Sequence, residues 1–242
     1  MGIEPGDDRP WILLPGTLCT GAVFDPFLDA LGVPAGSRHV IELGQPEIAD
    51  YLAPLLALSH DRAVICGFSL GAIVAAHLVD CLPAAQCLFF GLNPRPDDPV
   101  KRQGRLDLAA DVDRLGGIAA LESRLPSLAG PDPDGGRARI LAMAGLAARH
   151  VHAQTRLALE RPGAFHALSR AGMPITLLTG TRDEQAPLTL AQEAVAAAPM
   201  AKLAPLEGLG HYALVEDPRA CADAVRLADD GQYATGGLGR LS

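Results

Sequence analysis

The chain has 242 residues, of which 49% are hydrophobic, 20% charged and 4% aromatic, and its formal net charge is −8. That length suits one domain, or one domain carrying an insertion, and the apolar share supports a buried core and argues against disorder. The acidic balance argues against a nucleic-acid partner, because phosphate binding needs clustered Lys and Arg.

Residues 1–10 are acidic and turn-rich, and they carry no apolar stretch of the signal-peptide kind. No run approaches ~18 uninterrupted apolar residues, so no membrane span is expected. The five cysteines (Cys19, Cys66, Cys81, Cys87 and Cys221) form no C-x-x-C pair, and the odd count cannot close wholly into internal disulfides. Together these features fit a reducing, cytoplasmic setting.

Short apolar runs of β type lie at 11–14, 39–43, 62–66, 86–90, 175–179 and 201–206. Helical patterns lie between and after them at 23–31, 47–58, 69–82, 187–198 and 218–228. Alternation of this kind predicts an α/β fold, with a mostly parallel sheet of about six strands and helices on both faces. The rhythm breaks after the turn cluster Asn93-Pro-Arg-Pro-Asp-Asp-Pro99. From there helical patterns follow at 105–114, 118–124, 137–160 and 163–170, and no strand appears. An all-helical insertion at 94–171 predicts a cap over the carboxyl ends of the strands, with 1–93 and 172–242 forming the core. The Gly-rich stretch 231–242 is expected to be loose.

Gly67-Phe68-Ser69-Leu70-Gly71 stands between the third β run and the helical pattern after it. A G-x-S-x-G sequence at a strand-to-helix turn is a nucleophile elbow. Small residues let strand and helix approach, and the serine is left at the apex beside a helix N-terminus that favours anions. A serine hydroxyl is a weak nucleophile and needs a base, which in turn needs an orienting group. Gly180-Thr-Arg-Asp183-Glu184 follows the fifth β run and Gly208-Leu-Gly-His211-Tyr212 follows the sixth. Open α/β sheets bind their ligands at such carboxyl-end loops. Taken alone, Asp183 reads as a turn or capping residue, with Glu184 as the second candidate acid, and His211 reads as an ordinary loop histidine. In the order Ser, acid, His they read as nucleophile, orienting acid and base. An oxyanion hole would take the Leu70 N–H and one from Leu14-Pro-Gly-Thr17-Leu18, with Thr17 favoured and Leu18 second. Cys19 in that segment reads either as a reactive thiol or, more simply, as packing.

These motifs resemble the α/β-hydrolase family over nearly the whole chain. The match rests on Leu14-Pro-Gly-Thr17, Gly67-Phe-Ser-Leu-Gly71, Gly180-x-x-Asp183-x-x-x-Pro187 and Gly210-His211. Within the family it is most similar to small bacterial carboxylesterases of the pimeloyl-carrier-protein methyl ester esterase type. The resemblance implies an α/β-hydrolase fold with a helical cap, a triad of Ser69, Asp183 and His211, and oxyanion donors at Thr17 and Leu70. It also implies hydrolysis of a carboxylic ester or thioester, small or carrier-bound, through an acyl-serine. Two departures stand out: Pro15-Gly16 replaces the family's frequent His-Gly, and little chain precedes Trp11 for the family's first two strands, so against the family a shortened sheet of about six strands with no antiparallel edge hairpin is expected.

Specificity is expected from the cap. Arg95, Arg102 and Arg105 are candidate receptors for a substrate carboxylate or phosphate, with Leu146 and Tyr212 as candidate lining, although basic residues on helices are more often solvated faces. His150 and His152 are two apart and do not share a helical face, so they make a poor metal pair. No zinc pattern and no Gly-rich phosphate loop occurs, so no metal and no cofactor is implied. The same three side chains also serve lyases or carbon–carbon-bond hydrolases, and a ligand-binding protein with vestigial turnover is a third reading. Oligomeric state is not legible.

Overall fold

The computed structural model describes residues 8–233. The expectation of looseness at the C-terminal end therefore falls mostly outside the described residues. Six strands run in chain order: β1 (Trp11–Leu14), β2 (Arg38–Val40), β3 (Val64–Phe68), β4 (Gln86–Phe90), β5 (Ile175–Gly180) and β6 (Ala201–Leu206). They form one sheet in the order β2-β1-β3-β4-β5-β6, with every neighbouring pair parallel.

A parallel sheet needs both faces covered, and this one has two apolar layers. Trp11, Leu13, Val64, Cys66, Phe68, Leu88 and Phe90 point into one. Their alternates Ile12, Leu14, Ile65, Cys87 and Phe89 point into the other. The first layer is closed by α1 (Asp25–Leu31), α10 (Ala213–Glu216) and α11 (Pro218–Asp229). The second is closed by α2 (Leu52–Leu58), α3 (Leu70–Leu78), α8 (Phe165–Ser169) and α9 (Leu188–Ala197). Because α3 lies under this layer and the loops above it, it is apolar almost all round, with Leu70, Ala72, Ile73, Val74, Ala75, Ala76 and Leu78 buried.

Between β4 and β5 the chain forms α4 (Arg102–Leu115), α5 (Gly117–Glu122), α6 (Pro133–Ala147), α7 (Val151–Glu160) and α8, with no strand. The pattern at 137–160 predicts one helix, but a 3-10 turn at Ala148–His150 divides it. The apolar spacing survives this tighter winding, so the sequence pattern alone does not reveal the break. Likewise β2 is only three residues long, and β3 begins two residues later than the apolar run suggests.

The chain leaves β1 towards β2 on one side, then returns past β1 to β3 on the other. The carboxyl ends of β1 and β3 therefore flank the point where strand order reverses, which is where open α/β sheets hold ligands. Leu14 pairs with Gly67 across that point. Among the described residues no helix is long and apolar enough to cross a membrane.

Candidate active site

Ser69 sits between β3 and α3 with φ 52° and ψ −115°, a conformation that non-glycine residues rarely adopt. The surroundings fix it there. Its N–H donates to the Phe90 carbonyl at 2.9 Å, and its carbonyl accepts from the Ile73 N–H at 3.0 Å. The two elbow glycines allow the crossing: a Cβ on Gly67 would lie 2.6 Å from the Ala72 Cα, and one on Gly71 1.9 Å from the Leu14 carbonyl oxygen.

His211 follows β6 and Asp183 follows β5, and the structure brings both to Ser69. The His211 Nδ1 lies 2.8 Å from Asp183 Oδ2, and the His211 Nε2 lies 3.0 Å from Ser69 Oγ. A carboxylate only accepts, so the ring proton belongs on Nδ1 and Nε2 is left to accept from the serine hydroxyl. The His211 and Asp183 side chains are 7% and 1% exposed, which keeps this chain of bonds out of bulk water. Asp183 Oδ1 is committed as well, accepting the N–H groups of Gln185 and Ala186 at 2.8 Å each. Glu184, the second candidate acid, is exposed and makes no such bond to His211. The Phe68 ring packs against His211 and Tyr212 with centroids 5.3 Å and 5.7 Å away.

Neither the Leu70 nor the Thr17 backbone N–H has a hydrogen-bond partner among the described residues, and both residues line the space beside Ser69. Leu70 opens α3, so its N–H is one of the orphan donors of a helix N-terminus. The Leu18 N–H, the second candidate donor, is already engaged by Gln154 Oε1 at 2.9 Å. Cys19 is buried, and that burial pushes its thiol up to about 12, so it packs rather than reacts. Tyr212 is buried too, and burial raises its hydroxyl above the ordinary tyrosine range.

A cavity of about 920 Å³ opens beside Ser69. The helical insert contributes Arg105, Leu108, Leu121 and Arg124 to its wall, opposite Thr17, Leu18, Phe68, Arg182, His211 and Tyr212. Of the residues singled out for substrate contact, only Arg105 and Tyr212 line this space. Arg95 instead forms an exposed pair with Glu193, and its Nε donates to that carboxylate at 2.8 Å. Arg102 borders a separate hollow on the insert beside His152. Leu146 is 68% exposed on the outer face of α6. Arg105 shares the buried Asp97 carboxylate with Arg161, at 2.8 Å and 3.0 Å, so part of its hydrogen-bonding capacity is spent within the insert and its junction.

The sequence reading missed Gln154, Arg124 and Glu216. Gln154 carried one usable signal, a single polar residue on the apolar stripe Val151, Leu157, Ala158 of α7. Among the described residues no group of three or more His, Cys, Asp or Glu is gathered to hold a metal ion.

Comparison of folds finds the same architecture elsewhere. An esterase from Thermogutta terrifontis, solved with malate bound, superposes with a TM-score of 0.75 at 19% identity, covering 95% of this chain and 92% of that one. A carboxylesterase structure from the thaumarchaeon Nitrososphaera gargenis gives 0.74 at 18% identity, covering 94% and 93%. MenH from S. aureus gives 0.73 at 16% identity, covering 96% and 97%. At such identities these likenesses establish the fold. No curated protein matches the sequence. The sequence model of the alpha/beta hydrolase family matches residues 8–224. The chain belongs to the α/β hydrolase family.

Proposed function

We propose that this protein is a serine hydrolase that cleaves a carboxylic ester or thioester through an acyl-Ser69 intermediate. The observation that carries this reading is the bonded series Ser69–His211–Asp183 at the N-terminus of α3. The Ser69 Oγ attacks the substrate carbonyl carbon as its proton passes to His211 Nε2, and Asp183 steadies the imidazolium that results. The tetrahedral oxyanion is received by the N–H groups of Leu70 and Thr17, helped by the positive end of α3. Collapse breaks the bond to the alcohol or thiol, which leaves with the proton from His211. Water, deprotonated by the same Nε2, then attacks the acyl-serine and releases the acid.

The helical insert at 94–171 acts as a cap over the strand ends, since its Arg105, Leu108, Leu121 and Arg124 complete the cavity wall. The leading substrate is a small-molecule or carrier-bound acyl ester or thioester, with its acyl part against Leu18, Phe68 and Leu108. The esterase and carboxylesterase descriptions of the two proteins most similar in fold among those above support an ester rather than another bond. The test is covalent labelling with a fluorophosphonate, followed by peptide mass spectrometry. One adduct on Ser69 is expected. An unlabelled protein, or an adduct elsewhere with Ser69 free, overturns the assignment.

A further inference from the structure

The turn that carries the Thr17 N–H is held in an unfavourable form by a side chain from the insert. Gly16–Cys19 is a β-turn closed by a bond of 3.1 Å from the Cys19 N–H to the Gly16 carbonyl. Its third residue is Leu18, at φ 54°, whereas Thr17 is not among the residues with positive φ. That combination matches a type II turn, in which the third position normally takes glycine. Leucine would be at ease in the type I form, where the central Thr17–Leu18 peptide is rotated by roughly half a turn.

The reason it is not in that form lies 136 residues away. Gln154 of α7 is 1% exposed and belongs to the buried face of its helix. Its Oε1 accepts the Leu18 N–H at 2.9 Å, the one donor on the central peptide. A flipped peptide would take the Leu18 N–H away and turn the Thr17 carbonyl towards Gln154, which could meet it only by turning its own amide over within a buried site.

We infer that Gln154 is a positioning residue for catalysis: it tethers the Gly16–Cys19 turn by its Leu18 N–H and so steadies the adjoining Gly16–Thr17 peptide, whose N–H is the proposed second oxyanion donor. The inference rests on the proposed acyl-serine reading. It also makes the seating of the insert a condition for a complete oxyanion hole, because the tether is carried by α7.

Steady-state kinetics on p-nitrophenyl acetate, a substrate too small to need the cap for binding, tests this with Gln154→Met and Gln154→Glu. Methionine keeps the length and loses the strong acceptor, while glutamate keeps an acceptor oxygen at the same reach. For Gln154→Met the expected result is a fall of about 10–100-fold in kcat with KM within about three-fold of wild type. Gln154→Glu should recover most of that loss. Amide hydrogen exchange at Leu18 should accelerate in Gln154→Met and stay slow in Gln154→Glu. A folded Gln154→Met within two-fold of wild-type kcat overturns the inference, as does a rise in KM alone or equal damage in both variants. If Gln154→Met does not fold, Gln154→Asn, whose amide is too short to reach, takes its place. Should neither fold, Gln154 is structural and the inference falls. Ser69→Ala, run in parallel, separates the two levels. If it stays active, the acyl-serine reading fails and this inference fails with it. If it is inactive while Gln154→Met matches wild type, only the positioning role is lost.

Discussion

Glu216 Oε2 accepts the Gly210 N–H at 2.6 Å, so a buried carboxylate on α10 holds the residue immediately before His211. His211 stands on a loop, and a loop positions a base only as well as its backbone is tied down. Glu216→Ala leaves the Gly210 N–H without that acceptor and lets the loop drift. The expected outcome is about a ten-fold or greater loss of kcat, with about 1–3 kcal/mol of stability lost in urea unfolding. Glu216→Gln keeps an acceptor oxygen and should retain most of both. Equal behaviour of the two variants would show that the bond does not position His211.

The elbow makes a steric prediction. A methyl group at Gly71 would lie 1.9 Å from the Leu14 carbonyl oxygen, a backbone atom of β1 that cannot step aside. Gly71→Ala should therefore cost ~3 kcal/mol or more, or prevent folding. Gly104, inside α4 with open space around its Cα, is the control. Gly104→Ala should gain about 0.5–1 kcal/mol by reducing the freedom of the unfolded chain. Thermal melts of the two proteins should move in opposite directions, and a Gly71→Ala protein as stable as wild type would refute the crossing geometry.

His77, on α3, sets a pH dependence. Burial lowers its pKa, its Nδ1–H donates to the Ile73 carbonyl at 2.7 Å, and its buried Nε2 has no hydrogen-bond partner among the described residues. The folded protein therefore prefers the neutral ring, and the unfolded chain binds more protons as pH falls. The contribution to stability is fully present above the unfolded value of ~6.5 and is lost as pH drops towards the lower folded value. Urea midpoints near pH 7.5 and pH 5.5 should fall more for wild type than for His77→Leu, whatever the absolute stability of the variant. Equal falls would contradict the assignment.

Much of the fold was written in local patterns. Strands such as β3 and β4 are continuously apolar because both faces are covered, and the glycines at Gly67, Gly71 and Gly180 mark places where backbones cross closely. The meeting of Ser69, Asp183 and His211 was legible because each follows a strand, in the family's order. The arginines were not legible, because whether a guanidinium faces substrate depends on a carboxylate distant in sequence. Arg95 is paired with Glu193, and only the folded chain brings Asp97 between Arg105 and Arg161. Gln154 was hidden for the same reason, since its partner is a backbone N–H in another part of the chain. The second oxyanion donor that we propose was half legible. Thr17 and Leu18 were both candidates from sequence, and the bond to Gln154 removes Leu18.

Everything proposed for this site turns on Ser69 as the nucleophile. Its most direct test is kcat for a p-nitrophenyl ester in wild type and Ser69→Ala, with circular dichroism to show that both are folded. A nucleophilic Ser69 requires a loss of ~10³-fold or more on removal of the hydroxyl. Hydrolysis by a folded Ser69→Ala protein within ten-fold of wild type would contradict it.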